Sequence, residues 1–410
     1  MGVGIQAINI YCGRACLDVR RLFEVRGLDT RRFANLMMEQ KSVNLPCEDP
    51  VTNAVNAAKP IIDSLSPADK QRIELVIVGT ESGLDFGKPI STYIHDYLEL
   101  SRRCRSFEVK HACYGGTAGL QMAAAFVASS PIRGVKALVV AADAASAVAR
   151  QTYWEPSQGA GAAAMLVSEQ TDIMELDPGA NGYYSYEVMD TLRPRPDLEA
   201  GDSDSSLLAY MHCLEQSYES YRERVDGADI TKTFDYLVFH TPFAGMVKAA
   251  HRTLLRQQTG ASPEAIETDF KARVAQSLSY CVRVGNTYSA ALYVALCSLI
   301  DHGSFETPKR IGLFSYGSGC ASEFYSGVVT GRAQELLAPC RLGEALAERQ
   351  PLSIDDYETV SDASLDRMCG VQDKVFDTTA FARLYDGCFA GRGLLVLDEI
   401  KNFHRRYRWT

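Results

Sequence analysis

The chain alternates short apolar runs rich in β-branched residues with longer runs rich in alanine. In the first part of the chain, residues 73–80, 136–143 and 161–168 are apolar at almost every position, and they are too short to cross a membrane. Helical patterns near residues 50–65 and 116–130 lie between or around them. Strands that are apolar on both faces are typical of a sheet covered by helices on both sides. The pattern therefore predicts an α/β fold with buried central strands.

The alternation resumes in the second part of the chain after a polar stretch. Residues 170–230 are rich in Asp, Ser, Tyr and Glu, and they look like an insertion over the core. The later segments are a strand within 234–243, a helix near 244–257, a small-residue helix within 284–300, a strand within 309–319, a polar excursion at 340–380 and a last strand at 392–400. We therefore divide the chain into residues 1–168 and 169–410, with insertions in the second part at 169–232 and 340–380.

The two parts repeat one order of elements, which indicates a duplicated α/β unit. In the first part a strand ends at Glu81 and a helix of small residues opens at Cys113. In the second part the corresponding positions are His240 and Asn286. A pseudo-twofold arrangement of the units brings the two helix starts together and places Glu81 and His240 on either side of them.

Cys113 is the candidate nucleophile. The segment ACYGGTAGL puts this thiol where a helix begins, and the N-terminus of a helix favours a thiolate. The structural alternative is a buried cysteine at a helix cap, with Glu81 as a surface acid and His240 as a core histidine. The acid and the imidazole at matched strand ends favour catalysis over these separate explanations.

Composition narrows the class of protein. The chain has 410 residues, a net charge of −9, twelve cysteines and seven histidines. The cysteines show no CxxC pair and no spacing typical of a metal site, so we expect reduced cysteines and no metal centre. The negative charge argues against a general nucleic-acid binder, and neither a membrane span nor a signal-peptide pattern is present, so we expect a cytoplasmic protein.

Six segments together resemble the 3-hydroxy-3-methylglutaryl-CoA synthase family of the thiolase superfamily. They are GTESGLDFGKPISTYIH, ACYGGTAGL, EPSQGAGAAAMLV, FHTPFAGMVKAAHR, VGNTYSAALY and GLFSYGSGCASEFYSG, and the resemblance spans roughly residues 3–330 with a weaker tail to 410. It implies a thiolase fold, in which duplicated βαβαβαββ halves form a five-layered αβαβα core, usually in a homodimer. It also implies condensation of an acetyl thioester with a β-ketoacyl thioester, without a bound cofactor.

The resemblance assigns the central roles to three residues. Cys113 matches the nucleophile that accepts the acetyl group, and Glu81 matches the general base and acid. His240 matches the histidine that orients the second thioester and polarises its β-carbonyl. The same residue types suit the chemistry, because an acetyl-cysteine needs a base with a raised pKa to become an enolate.

Four further positions are expected to support the acyl groups. Asn286 and Ser318 match supporting residues, and the Gly317–Ser318 loop lies near the expected oxyanion site. Tyr114 and the loop EPSQGAG line the pocket in relatives. We expect the backbone N–H of Cys113 to be a second oxyanion donor.

The carrier of the acyl groups separates two branches of the family. Primary-metabolism relatives hold coenzyme A partly through a lysine five positions after the histidine, where this chain has Gly245. The segments HTPFAGMVKAAHR, EVKHACYGGTAGLQM and GLDTRRFANLMM look instead like the synthases of polyketide β-branching cassettes. Those synthases take acetyl from one acyl carrier protein and add it to a β-ketoacyl chain on another. Lys248, Arg252 and Arg256 recur every four residues and form one candidate face for an acidic carrier. Arg31 and Arg32 form a second candidate patch, in which Arg32 matches an arginine that contacts the donor carrier in these relatives. The alternative for each patch is an ordinary solvated charged face.

Three alternatives remain open from the sequence. One is a primary-metabolism synthase that uses acetyl-CoA and acetoacetyl-CoA. The others are a papain-type Cys-His hydrolase and a carrier-binding scaffold without activity. The basic, aromatic C-terminus KNFHRRYRWT is expected to be a solvated or dimer-packed tail rather than a nucleic-acid site.

Overall fold

A computed structural model describes residues 2–144 and 147–410. Its strands β1–β17 are, in chain order, Gly4–Tyr11, Ala15–Asp18, Gln40–Val43, Ile73–Gly79, Arg105–Val109, Lys136–Asp143, Gly161–Ser168, Met174–Ser185, Thr191–Arg195, Leu198–Gly201, Tyr236–Phe239, Lys309–Gly317, Ala321–Val329, Gln350–Pro351, Lys374–Val375, Leu395–Lys401 and His404–Trp409. Its α-helices α1–α15 are Val19–Val25, Phe33–Leu36, Pro50–Asp63, Pro67–Gln71, Ser91–Tyr97, Gly115–Ser129, Ser203–Arg224, Ala244–Thr259, Pro263–Arg273, Cys281–Val284, Ala291–His302, Gly331–Leu337, Leu342–Ala347, Ile354–Leu365 and Ala382–Cys388. Short 3-10 helices lie at Thr30–Arg32, Glu155–Ser157, Ala275–Leu278, Tyr288–Ala290 and Ala338–Cys340.

Nine strands form one sheet in the order β11-β12-β13-β8-β1-β7-β6-β4-β5. The order contains the same four-stranded unit twice, as β1-β7-β6-β4 and as β8-β13-β12-β11. In each unit the first two pairings are antiparallel and the third is parallel. The predicted duplication is therefore confirmed. The two units meet through a short pairing of β1 with β8 at Gly4 and Ile5.

The prediction that residues 169–232 form an insertion is wrong for most of that range. Strand β8 lies inside the central sheet as the counterpart of β1, and α7 packs on the second unit as α3 packs on the first. The sequence DPGANG within β8 looks like a turn, but the structure accommodates it at an irregularity in the pairing with β13. Only the hairpin of β9 and β10 and its flanking segments lie outside the repeated unit.

The two repeated units of the sheet form two separate layers, and together with the helices they stack in the five layers that the resemblance implies. Alternate residues of the first-half strands face α3 on one side and α6 on the other, which is why these strands are apolar throughout. Helices α6 and α11 lie between the two units, where Thr117 hydrogen-bonds Tyr293 at 2.9 Å. Helix α7 covers the outer face of the second unit through Tyr218 and Tyr221, which pack on Phe324. Within the described ranges, no helix is long and apolar enough to cross a membrane.

The C-terminal region forms a satellite beside the central sheet. Residues 340–380 contribute α13, α14 and two short strands, as expected for a region outside the core. The segment predicted as the last strand is β16, but β17 follows it and pairs antiparallel with it. The expectation of a solvated or dimer-packed tail is therefore wrong: Arg405 and Tyr407 are buried, and both contact Asp49.

Candidate active site

The nucleophile and the acid come together because β4 and α6 approach each other closely. A Cβ on Gly79, the last residue of β4, would lie 2.3 Å from the carbonyl carbon of Gly115, at the start of α6. Backbone packing at this distance requires glycine. Ala112, which precedes the nucleophile, has φ of +39°, a left-handed conformation that turns the chain sharply before Cys113. The small residues around the thiol thus place it beside the loop that carries Glu81.

The Cys113 thiol is half-buried, and its Sγ lies 3.5 Å from Glu81 Oε2. Burial, followed by the charges of Glu81 and Asp143, raises the pKa of Cys113 well above its usual range. The expectation that the helix would favour a resting thiolate is wrong. Helix α6 begins two residues later, at Gly115, and the thiol faces carboxyl groups. The resting nucleophile is a neutral thiol with a proton acceptor beside it.

Glu81 lies in a cluster of buried charges. Desolvation raises its pKa to about 7; Arg193 opposes that rise, while Asp143 and Glu199 add to it. Arg193 Nη2 lies 3.1 Å from Glu81 Oε1 and 3.0 Å from Glu199 Oε2. A carboxyl group with a pKa near neutrality can accept and return a proton under physiological conditions.

Asp143 anchors the acid loop. Its Oδ1 accepts hydrogen bonds from the backbone N–H of Glu81 at 2.9 Å and from Thr80 and Ser82, while its Oδ2 accepts from Ser289 Oγ at 2.7 Å. The carboxylate therefore joins the two halves of the chain beside the nucleophile. Asp143 is the last residue of the apolar segment 136–143, and no catalytic role was predicted for it. The signal for a role was an acid that closes an otherwise apolar strand.

His240 follows β11, at the strand end that corresponds to the Glu81 end of β4. Its backbone N–H continues the ladder by donating to Phe314 O at 2.7 Å, and its carbonyl accepts from Tyr210 Oη at 2.7 Å. The residue is buried, and desolvation lowers the pKa of the imidazole to about 3. The ring is therefore neutral near pH 7 and carries one N–H donor.

Cys113, Glu81 and His240 line one cavity of about 670 Å³. Its wall includes the predicted residues Asn286 and Ser318, and the loop residues 156–158. Apolar side chains supply much of the remaining surface: Phe23, Leu36, Trp154, Leu207, Phe243 and Met246. Arg32, Lys110, Tyr153 and Asp204 are exposed members of the wall, so the cavity opens to solvent where they lie. This volume suits an acyl group on a flexible arm.

Two supporting positions are fixed by hydrogen bonds around the cavity. Asn286 donates from Nδ2 to Gln158 Oε1 at 3.2 Å and accepts at Oδ1 from the N–H of Tyr288 at 2.8 Å. Asp190 accepts from Gly319 N–H at 3.0 Å and from Tyr316 Oη at 2.6 Å, which holds the loop that carries Ser318. Asp190 was missed in the sequence because it lies in the polar stretch taken for an insertion.

Tyr114 and Gly317 act behind the cavity wall rather than on it. The Tyr114 hydroxyl donates to buried Glu323 at 2.8 Å, and a Cβ on Gly317 would lie 2.6 Å from the backbone N of Tyr114. Neither residue belongs to the cavity lining that the structure describes. The expectation that Tyr114 lines the pocket is therefore wrong, because its side chain is directed into the core of the second half.

The candidate carrier contacts fall in different places. Arg32 is an exposed member of the cavity wall, and its Nη1 lies 3.4 Å from Tyr153 Oη. Lys248 lies 2.9 Å from Glu267 on α9 and outside the described cavity lining, as does the exposed Arg252. The predicted face of Lys248, Arg252 and Arg256 is therefore not part of the described cavity lining, and the charge of Lys248 is partly neutralised.

Two family profiles together match most of the chain. Residues 1–172 match the N-terminal part of hydroxymethylglutaryl-coenzyme A synthase, and residues 256–407 match its C-terminal part. The chain belongs to the hydroxymethylglutaryl-CoA synthase family. Its fold is the thiolase-like fold of the solved synthases.

Relatives in both branches of the synthase family are similar over most of their length. The polyketide biosynthesis 3-hydroxy-3-methylglutaryl-ACP synthase PksG of Bacillus subtilis is 52% identical, with 100% of this chain and 99% of that protein covered. The hydroxymethylglutaryl-CoA synthase of Enterococcus faecalis is 37% identical over 89% of this chain and 93% of its own length. The crystal structure of the curacin-pathway HMG synthase in complex with apo donor-ACP has a TM-score of 0.97 and 53% identity, with both chains fully covered.

Proposed function

We propose that this synthase condenses acetyl from a donor acyl carrier protein with a β-ketoacyl thioester on an acceptor carrier protein. The product is a 3-hydroxy-3-methylglutaryl-type thioester of polyketide β-branching. The observation that carries the chemistry is the 3.5 Å contact between Cys113 and Glu81, in the cavity that also contains His240. The similarity to the synthases named above supports the choice of carrier.

Acetylation of Cys113 is the first step. Glu81 takes the thiol proton, the thiolate attacks the acetyl thioester, and Glu81 returns that proton to the departing carrier thiolate, so that it is again a carboxylate for the next step. The proton transfer is direct, because Glu81 Oε2 lies 3.5 Å from the Cys113 thiol. The pKa of Cys113 is well above its usual range and that of Glu81 is about 7, so the thiol is protonated and Glu81 is able to act as the acceptor near neutral pH. A neutral resting thiol is also protected from other electrophiles until a donor is bound.

Carbon–carbon bond formation is the second step. Glu81 removes a proton from the methyl group of acetyl-Cys113, and the enolate carbon attacks the β-carbonyl of the acceptor. The neutral imidazole of His240 donates a hydrogen bond to the alkoxide that forms, and Glu81 returns its proton to that oxygen. Water then cleaves the thioester at Cys113, which releases a carboxylate product and the free thiol.

Arg32 is the carrier contact that the geometry favours. It combines a positive charge with a position on the open side of the cavity, whereas Lys248 is paired with Glu267. An acidic carrier docked at this opening has its phosphopantetheine arm directed toward the thiol. We further propose a cytoplasmic homodimer that requires no metal ion or bound cofactor.

Mass spectrometry tests this function directly. Incubation with acetyl-loaded carrier protein should add about 42 Da at Cys113, the mass of acetyl in place of hydrogen. The tryptic peptide of residues 111–133 contains Cys113 as its only cysteine, so the site is unambiguous. Cys113→Ser should lose the label and turnover. A label on a different cysteine, with Cys113→Ser still active, would overturn the assignment.

A further inference from the structure

The β9–β10 hairpin carries a charged pair into the active site. Arg193 lies in β9 and Glu199 in β10, and both line the cavity. The hairpin forms a separate two-stranded sheet outside the nine-stranded one. Glu81, the proposed base, is therefore contacted by the β9–β10 hairpin, which belongs to neither repeated unit.

The Arg193 guanidinium contacts the carboxylates of Glu81 and Glu199 and also the backbone of Glu81. One amino group, Nη2, lies 3.1 Å from Glu81 Oε1 and 3.0 Å from Glu199 Oε2. The other, Nη1, donates to the backbone carbonyl of Glu81 at 3.1 Å. The guanidinium thus holds both the side chain and the main chain of the residue proposed as the base.

The guanidinium is not saturated by these contacts. Its Nε is buried and has no hydrogen-bond partner in the part of the chain that the structure describes. The ring of Tyr288 lies 5.6 Å from the guanidinium carbon, and the Tyr288 hydroxyl is likewise buried without a partner there. A purely structural arginine would be expected to use its buried donors, because an unpaired one costs about 1–3 kcal/mol.

We propose that Arg193 is a positioning residue for condensation: held against Glu199, it fixes the orientation and the charge of the Glu81 carboxylate. This inference rests on the proposed function. Glu199 moderates the effect, because it competes for the same amino group. The pair therefore adjusts the base without contacting the reacting atoms.

The groups around Glu81 give the pair an effect of definite sign. Arg193 lowers the pKa of Glu81, while Glu199 raises it. Asp143 on β6 also raises it, and Cys113 lowers it through the hydrogen bond. Since Glu81 must be deprotonated to act as a base, condensation slows as the pH falls through its pKa. Loss of Arg193 should move that decline to higher pH, and loss of Glu199 to lower pH.

The test compares pH profiles of condensation in the full-length enzyme, with acetyl-pantetheine as the donor and acetoacetyl-pantetheine as the acceptor. We expect Arg193→Met to shift the acidic limb of the profile to higher pH by about one unit. At pH values below that limb, condensation should then be about tenfold slower than in the wild type. Glu199→Gln should shift the limb downward, and Arg193→Lys should restore part of the wild-type profile. Arg195→Met is the matched control, because Arg195 lies on the same hairpin but pairs with exposed Asp197. Its profile should coincide with that of the wild type.

Several outcomes overturn the inference. Coincident profiles for all variants, or shifts of the two active-site variants in one direction, would show that the pair only stabilises the hairpin. If Arg193→Met fails to fold, Glu199→Gln decides, and a profile equal to that of the wild type refutes the proposal. Acetylation of Cys113 is measured in the same samples. A wild-type enzyme that is not acetylated refutes the proposed function as well, whereas normal acetylation with unshifted profiles refutes the role of Arg193 alone.

Discussion

Replacement of Gly245 by alanine is expected to impair use of a carrier protein more than use of a small donor. Gly245 lies at the start of α8, and a Cβ there would be 1.7 Å from the backbone oxygen of Asn35 and 2.8 Å from its carbonyl carbon. Asn35 belongs to α2, which directly follows Arg32. Because the obstructing atoms are backbone, a change of rotamer cannot relieve the contact. Helix α2 has to move.

The size of the movement follows from the distance. An ordinary contact begins at 3.4 Å, so the Asn35 oxygen has to retreat by about 1.7 Å (3.4 − 1.7). Helix α2 packs in a small cluster with Val19, Phe23 and Met38, separate from the central core, so the displacement stays local. Overpacking of this kind costs about 1–3 kcal/mol. Arg32 moves with the helix, and we expect carrier-dependent acetyl transfer to fall about tenfold through loss of its charged contact.

The assay measures kcat/KM for acetylation of Cys113 with acetyl-carrier protein and with acetyl-CoA, together with thermal unfolding. Gly245→Ala should lower the melting temperature and reduce the ratio of carrier to coenzyme A use. Gly387→Ala is the matched control, because Gly387 also lies in a helix but has no atom within 4 Å of its added Cβ. That substitution should leave both donors unaffected and stabilise the fold slightly.

An unchanged melting temperature and an unchanged donor ratio in Gly245→Ala would refute this reasoning. Equal losses with both donors would show that α2 shapes the phosphopantetheine channel rather than the protein contact. The position that the family resemblance assigns to a coenzyme A-binding lysine has no room for a side chain while α2 stays in place. A wild-type preference for acetyl-CoA would therefore contradict the polyketide assignment as well.

Two further predictions concern the base and the carrier contact. Glu81→Gln should be acetylated more slowly but still completely, because solvent has to take the thiol proton in place of Glu81, while loss of the carboxylate charge lowers the pKa of the Cys113 thiol. Condensation should fall by about 10²–10⁴-fold and lose its acidic limb near pH 7. His240→Asn should be slower yet keep that limb, and a limb that vanishes instead would assign the titration to the imidazole. Arg32→Glu should reduce acetyl transfer from the carrier about tenfold, less so at high salt, while Arg31→Glu, at a neighbouring arginine already paired with Asp29, should not. Equal effects of the two reversals would point to general charge rather than a contact.

The sequence predicted those parts of the molecule that depend on local pattern. The apolar strands, the repeated units and the meeting of Cys113 with Glu81 follow from hydrophobic runs and from the repeated order of elements. Strand β8 was missed because its polar, turn-like residues are accommodated at an irregularity in its pairing with β13, which no local signal reports. The pKa of Cys113 was predicted with the wrong sign, because it depends on burial and on the carboxyl groups of Glu81 and Asp143, which are distant in sequence.

The hydrogen bonds of Asp143 tie catalysis to the integrity of the whole chain. The Asp143 carboxylate accepts hydrogen bonds from the loop after β4, in the first half of the chain, and from Ser289, in the second half. Separation of the halves would withdraw the Ser289 hydroxyl and leave a buried charge short of donors, so the loop bearing Glu81 would lose its anchor at the same moment. Heat inactivation should therefore coincide with cooperative unfolding instead of preceding it. A form in which the two halves have separated would therefore no longer hold Glu81 in place.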